Sequence, residues 1–174
     1  MKKFTLLLVL FSPLLSQGQR IVENQFSLNA LVPSAEYELR LSDEYSIDLL
    51  LGIGFAYSKS TLEEAKFAIF PQFMGQYRYY YNFDRRESKG LKTSENSANY
   101  FAGVGIISST DALIGNLEYL SNYSAFVGPA WGLQRVYEQG FKLNFNLGAG
   151  YAWDDIGNSY ISPLIGLQLG WILR

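Results

Sequence analysis

A two-residue alternation of bulky apolar side chains with small or polar ones runs along most of the chain. In YSIDLLLGIGFAY (residues 45–57) every odd position is bulky and apolar. The even positions are small or polar, with Leu50 as the single exception. Because successive side chains of a strand point to opposite faces, this period of two predicts a β-strand.

The same alternation recurs often enough to predict a sheet of antiparallel strands. FKLNFNLGAGYAW (141–153) carries its bulky residues on the odd positions. Repetition over this many segments favours strands over helices, and short turns at 42–44 and 136–140 are typical of hairpins. The predicted strands are about 25–41, 45–57, 67–81, 99–108, 123–135, 141–153 and 160–173, and the longer polar connections are 58–65, 82–98, 109–121 and 154–159.

Alternation alone leaves open which face of a closed sheet carries the apolar side chains. A soluble ligand-binding barrel is apolar inside, whereas an outer-membrane barrel is apolar outside. The interior of a barrel of about eight strands is just wide enough to be filled by side chains. A lining of Phe, Tyr, Trp and Leu would overfill it. The predicted fold class is therefore all-β, a closed antiparallel up-and-down transmembrane β-barrel, and a soluble exported ligand-binding barrel is the alternative.

The number of strands requires a division of the first segment. Single-chain bacterial barrels have an even number of strands, but the pattern above gives seven segments. Pro33 lies within the first segment and cannot donate to a ladder hydrogen bond. We expect one strand from about residue 20 to 31, a reversal at 32–34, and a second short strand, which makes eight. Pro129 falls in the middle of a predicted strand, where we expect a bulge.

Aromatic residues cluster at both ends of the predicted strands. Aromatic side chains favour strands in any protein, but outer-membrane barrels also place them in a girdle at each membrane interface. Clustering at both ends of the same strands favours the girdles. The predicted girdle residues are Tyr45, Tyr79, Tyr81, Phe141 and Trp171 at the short-turn ends, and Tyr57, Tyr123, Tyr151 and Trp153 at the longer-loop ends.

The first residues of the chain have the pattern of a secretory signal peptide. Lys2 and Lys3 precede an apolar stretch from Phe4 to Leu15, and small residues follow it, so we expect cleavage before Gln19. About 12 apolar residues are too few for a helix that spans a membrane. The predicted division is a signal peptide at 1–18 and an outer-membrane β-barrel domain at 19–174, exported to the outer membrane of a Gram-negative-type cell envelope.

Composition excludes several classes of function. Without Lys2 and Lys3, 12 basic residues remain against 16 acidic ones, a balance unlike that of a nucleic-acid-binding protein. Enzymes built on outer-membrane barrels generally use a His as general base or as its partner, and this chain has no His and no Cys. Asp154 and Asp155 stand together beside Gly157, as solvated turn residues commonly do. We expect no catalytic residues, no cofactor and no metal site.

Charged residues on the small-and-polar parity are expected to meet inside the barrel. Charges enclosed in a narrow interior need partners, so an ion-pair network in place of a hydrophobic core is favoured over a proton or ion site. The predicted lumen network comprises Glu36, Glu38, Arg40, Asp48, Arg78 and Lys142.

The final strand ISPLIGLQLGWIL and the stretch QYRYYYNFDRRESKGL (76–91) resemble segments of small outer-membrane β-barrel proteins. That group includes the barrel of outer-membrane protein A and small barrels of unassigned role. In such proteins the last strand usually ends in an aromatic residue that the insertion machinery reads, and Trp171 is the candidate here. The resemblance extends over the whole mature chain, but it is a resemblance of strand pattern alone. It implies no functional residue.

The function expected from the sequence is a structural role, or an interaction made through the loops at 58–65, 109–121 and 154–159. A narrow pore, with Gly103, Gly105 and other glycines facing inward, and a barrel that binds or transports a small hydrophobic ligand are the alternatives. The expected partners are outer-membrane lipid, lipopolysaccharide and the barrel-insertion machinery, for a monomer that binds no nucleic acid.

Overall fold

The computed structural model describes residues 23–59 and 64–173, which form an antiparallel sheet. The signal peptide predicted at 1–18 lies outside the described residues. The strands are β1 (Gln25–Asn29), β2 (Ser34–Arg40), β3 (Tyr45–Ser58), β4 (Lys66–Tyr80), β5 (Asn99–Ser109), β6 (Ile114–Gly115), β7 (Tyr123–Val136), β8 (Phe141–Asp154) and β9 (Ser159–Leu173). The short helix α1 (Phe83–Glu87) follows β4, and a 3-10 turn (Glu138–Gly140) precedes β8. None of the helices in the described ranges is long and apolar enough to cross a membrane.

Eight strands close into a ring. Each strand pairs with the next around the order β1–β2–β3–β4–β5–β7–β8–β9. The ring closes where β1 pairs with β9, with Phe26 opposite Leu173 and Asn29 opposite Gly170. The two-residue strand β6 stays outside this order and pairs with β4. The all-β, antiparallel part of the predicted fold class is therefore confirmed.

The alternation predicted the six long strands to within one residue of each end. β3 and β8, for example, each run one residue past the predicted end. The first segment is divided at Pro33 as expected, since residues 30–33 form the reversal between β1 and β2. The predicted start near residue 20 lies outside the described residues.

The expected bulge at Pro129 is wrong. Val127 lies opposite Tyr151 and Ala130 lies opposite Gly148, so the pairing of β7 with β8 keeps one register past the proline. On its other side Pro129 lies opposite Gly103 of β5. The strand therefore accommodates the proline without an inserted residue.

The two ends of the ring differ in their connections. We call the end with the turns at 41–44 and 137–140 the short-turn end. The connection from β4 to β5, residues 81–98, also lies there. We call the opposite end the loop end. β3 ends and β4 begins there, and the connections at 110–122 and 155–158 lie there. The long strands run between these two ends.

The two faces of the ring carry different side chains. On the outer face Leu51, Phe55 and Ile165 expose 65%, 64% and 71% of their surface. On the inner face Arg78 and Asp48 are completely buried. Apolar side chains thus face outward and charged ones face inward, as the size argument predicted.

Candidate functional site: the interior of the ring

Arg78 of β4 lies at the centre of the short-turn half of the interior. Its Nη2 donates a hydrogen bond to Asp48 Oδ2 at 2.7 Å. The same guanidinium lies 3.5 Å from Glu38 Oε2 and 3.7 Å from Glu36 Oε1. Its Cζ lies 4.7 Å from the centre of the Tyr100 ring, within the range of a cation–π contact. One guanidinium therefore forms ion pairs with three carboxylates from β2 and β3.

Lys142 of β8 supplies the second buried cation. Its Nζ lies 2.6 Å from Glu36 Oε1 and donates to Ser27 Oγ at 3.0 Å. We call Glu36, Glu38, Asp48, Arg78 and Lys142 the ion network. With every group ionised, its three carboxylates and two cations carry one net negative charge.

Neutral donors complete the ion network. Glu38 Oε1 accepts hydrogen bonds from the hydroxyls of Ser46, at 2.5 Å, and Tyr80, at 2.6 Å. Gln134 bridges two members, because its Oε1 accepts from Arg78 Nη1 at 3.3 Å and its Nε2 donates to Glu38 Oε2 at 3.5 Å. Buried charges need this kind of hydrogen bonding to offset the water they lose.

Sequence reasoning placed five of the six predicted lumen residues in this network but misplaced Arg40. Arg40 is exposed and pairs with Asp43 at 2.7 Å in the adjoining turn. As the last residue of β2 it lies at the rim, where its long side chain reaches solvent. The sequence reasoning also missed Tyr80 and Gln134, although Tyr80 shares the parity of Arg78 on β4.

The residues predicted as girdles lie on the outer face, many of them in contact across strands. Tyr45 stacks on Tyr79 with ring centres 4.9 Å apart. Tyr81 likewise contacts Phe101 at 5.0 Å, and Phe141 contacts Trp171 at 5.5 Å. Tyr151 and Trp153 stack on each other within β8, with ring centres 5.9 Å apart. Tyr57 and Tyr123 are exposed near the loop end. These residues form one aromatic band near each end of the ring.

Residues 82–98, which we call the plug segment, close the short-turn end. Asn96 is fully buried and exchanges two hydrogen bonds with the backbone of Glu23, at 2.7 and 3.0 Å. On another part of the ring the Val136 amide donates to Ser97 Oγ at 3.0 Å. Because Glu23 precedes β1 and Val136 ends β7, these contacts carry the plug segment across the opening.

The loop half of the interior, which we call the apolar half, holds a cavity lined mainly by apolar side chains and by a few neutral polar ones. Leu50 and Met74 are buried there, and Ile106, Phe126 and Leu164 pack against the same cluster. A cavity of about 270 Å³ lies among Leu50, Met74, Ile106 and Leu164. Leu50, the exception in the alternation of β3, therefore marks the boundary between a charged and an apolar half. The sequence reasoning did not find this cavity.

The wall of the ring has a gap beside this cavity because β1 and β2 are short. β2 pairs with β3 only as far as Gly52, and β1 pairs with β9 only from Gly170 onward. Among the described strands, residues 53–58 of β3 and 159–168 of β9 pair with a neighbour on one side only. We call this gap the notch, and its floor is the reversal at 30–33.

Two glycines predicted to face inward do not. Gly103 and Gly105 share the parity of Phe101 and Ile107, which are exposed on the outer face of β5. A Cβ atom added at either glycine would meet no other atom within 4 Å. They therefore leave no space in the interior.

Asp154 and Asp155, which are adjacent at the loop end, accept hydrogen bonds from nearby loop residues. Asp154 accepts hydrogen bonds from the backbone amides of Ile156 and Asn158. Asp155 accepts from the amide and the side chain of Asn122, at 2.9 and 2.6 Å. The hydrogen bonds from Asn122 hold the pKa of Asp155 below its ordinary value. Both carboxylates therefore stabilise the conformation of the loops at this end.

The chemistry of the described residues does not indicate a cofactor. Within 23–59 and 64–173 there is no group of three or more His, Cys, Asp or Glu side chains suited to hold a metal ion. The three carboxylates of the ion network face Arg78 and Lys142 instead. Comparisons with protein families, with curated proteins and with solved structures gave no match.

Proposed function

We propose that this chain is an integral β-barrel protein of the outer membrane, exported with the cleaved signal peptide predicted at 1–18. The observation that carries the proposal is the distribution of side chains over the ring. Its outer face is apolar over the length of the long strands, with Leu51, Phe55 and Ile165 as examples, while its interior holds the ion network. Large apolar surfaces are costly in water and are the normal outer face of a membrane barrel.

The aromatic bands support the same proposal. Tyr and Trp favour the membrane interface because their rings are apolar and their O–H or N–H groups remain hydrated. Here Trp131 donates to the Tyr81 hydroxyl at 2.9 Å on the outer face near the short-turn end. Near the loop end the exposed rings include Tyr57 and Tyr151. Membrane lipid, lipopolysaccharide and the insertion machinery are the partners that this proposal implies.

The role we assign to the barrel is structural or interactive, without catalysis or conduction. The ion network fills the short-turn half, and the plug segment crosses that end. These features favour a closed barrel over the narrow pore. The proposed contacts with other molecules are made by the loops at the loop end, and the barrel is a monomer.

Membrane fractionation combined with a detergent gel tests the membrane assignment. We expect the protein in the outer-membrane fraction, and we expect unheated samples to migrate faster than boiled ones because the closed sheet resists detergent. A soluble protein whose migration does not change on heating would overturn the proposal and favour the soluble ligand-binding barrel. Steady single-channel currents in planar bilayers would overturn the closed interior.

A further inference from the structure

The reversal between β1 and β2 differs in character from the other tight turns of the ring. Its residues, Ala30-Leu31-Val32-Pro33, are all apolar, whereas the turn at 42–44 reads Ser-Asp-Glu. Leu31 and Val32 expose 53% and 39% of their surface. Apolar side chains favour lipid over water, and backbone exposed to lipid must have its polar groups bonded. Here the Ala30 amide donates to the Leu169 carbonyl at 2.7 Å, and Ser34 Oγ donates to the Val32 carbonyl at 3.1 Å. The floor of the notch therefore lies within the lipid-facing belt of the proposed barrel.

The cavity in the apolar half opens through the notch. Its inner lining comes from residues such as Leu50 and Leu164. It also touches Val32 on the floor of the notch, and Ile53 and Ile165, which belong to the outer parity of the two strands that flank the notch. A cavity lined from both faces of the wall connects the interior with the lipid outside.

Two side-chain amides that line this cavity each have an oxygen without a hydrogen-bond partner. Asn146 is completely buried, and although its side chain interacts with the Tyr100 hydroxyl, its Oδ1 accepts no hydrogen bond from the described residues. Gln168 is 8% exposed, and its Oε1 likewise has none. A buried polar atom without a partner is costly, so a ligand that supplies a hydrogen bond here gains affinity.

We propose that the cavity binds one single-chain membrane amphiphile, which enters sideways through the notch. Its hydrocarbon chain lies along Leu50, Met74, Ile106 and Leu164, and its neutral head group bonds to Asn146 and Gln168. A volume of about 270 Å³ suits one hydrocarbon chain and excludes a whole phospholipid. The source of the ligand rests on the proposed membrane function, but the site itself does not.

The charge below the cavity selects a neutral head group. The ion network carries one net negative charge with all its groups ionised, and its cations are already paired with carboxylates. A carboxylate head would add a charge without a counter-ion to an enclosed site. Hydroxyl and amide groups can donate to the free oxygens without this cost.

The topology disfavours a peptide strand as the occupant. β3 and β9 are separated by two strands, β1 and β2, below the notch. In an antiparallel sheet the two flanking strands therefore run in opposite directions. One added strand would be antiparallel to only one of them. A hydrocarbon chain has no such constraint.

Equilibrium dialysis of the purified full chain in detergent tests the site, with radiolabelled dodecanol, dodecane and dodecanoate as probes. We expect saturable binding of one dodecanol per chain. We expect Asn146→Leu to weaken dodecanol binding about tenfold, as for one hydrogen bond lost in an apolar site, and to leave dodecane binding unchanged. Equal binding of all three probes to the parent protein, or no saturable binding, would overturn the proposal.

Matched variants locate the binding site and the path to it. Leu164→Trp fills the cavity and should abolish binding, whereas Leu147→Trp, on the outer face, should not. Because the chain has no Cys, Ile165→Cys can be labelled at the rim of the notch with a bulky maleimide after folding. The label should slow dodecanol uptake at least tenfold relative to labelled Leu147→Cys. Equal uptake would contradict access through the notch.

Failure of this inference can be distinguished from failure of the proposed function. A membrane protein with normal heat shift and no dodecanol binding would overturn the site alone. A soluble protein that binds dodecanol would overturn the membrane assignment and keep the site. If no probe binds and two copies can be cross-linked at the notch, the occupant of the notch is a strand from a second copy and not an amphiphile.

Discussion

The two halves of the ring interior are filled in opposite ways, although the same strands build both. In the short-turn half Arg78 and Lys142 hold three carboxylates, and the plug segment closes the end. In the loop half Leu50, Met74 and their neighbours leave a cavity that opens through the notch. We therefore expect the loss of one buried residue to be most destabilising in the charged half, and we assign ligand binding to the apolar half.

Among the variants that test this comparison, removal of the Arg78 side chain should cause the largest loss of stability. Arg78→Ala leaves Asp48 without its 2.7 Å partner and Glu36 and Glu38 without a shared cation. Breaking a buried ion pair by removing one partner costs about 3–5 kcal/mol. Urea unfolding in detergent measures the loss. Arg85→Ala on α1, where the side chain is exposed, is the control, and equal unfolding midpoints for the two variants would contradict the account.

Shortening Leu50 should cost less, because its neighbourhood already contains a cavity. Large-to-small changes in packed interiors cost about 2–5 kcal/mol, and we expect Leu50→Ala near the lower limit. The control is Leu49→Ala, the adjacent residue on the outer face of β3, which is 40% exposed. The same unfolding measurement applies. A loss as large as that for Arg78→Ala would show that the apolar half is packed as tightly as the charged half.

The plug segment offers a third test, with a smaller effect. Asn96→Ala removes both hydrogen bonds to Glu23 and places Ala at a left-handed backbone conformation, with φ at 56°. We expect a loss of about 1–2 kcal/mol and faster proteolysis within residues 82–98. Lys89→Ala, at an exposed position of the same segment, should leave cleavage unchanged. Equal protection of both variants would argue against closure by this segment.

The smallest effect is expected at the loop end, outside the interior. Hydrogen bonds from Asn122 lower the pKa of Asp155, so this contact is present above the ordinary carboxyl pKa and is lost as the pH falls through the lowered value. Asp155→Ala should increase proteolysis at residues 109–122 at neutral pH, without moving the unfolding midpoint. The parent protein should show the same sensitivity only in strong acid. Equal cleavage of parent and variant at neutral pH would contradict this anchoring.

The sequence predicted the local part of this fold well. A strict period of two reveals both the length of a strand and which side chains share a face. The six long strands and the inward positions of Glu36, Asp48 and Lys142 could therefore be predicted, whereas the two-residue strand β6 was not. The division at Pro33 followed from the even number of strands. Each of these inferences depends on neighbouring residues or on a rule for closed sheets, not on a distant contact.

The missed features depend on pairing between distant segments. The notch exists only because β1 is five residues long while β9 continues past its end, and no local sequence pattern indicates that difference in length. The plug segment is polar and reads as a solvated connection, yet Asn96 is buried by contacts with Glu23. Arg40 shares the inward parity, but parity does not indicate where the rim of the ring lies.

The most direct test of the account is a spin-label scan along one strand. Phe141, Leu147 and Trp153 lie on the outer face of β8 at the short-turn end, the middle and the loop end. Labels attached to single cysteines at these positions in bilayers should show the highest collision rate with oxygen, and the lowest with a water-soluble nickel complex, at Leu147. A label at Leu147 that collides with the nickel complex as often as labels at the two ends would contradict the lipid-facing exterior.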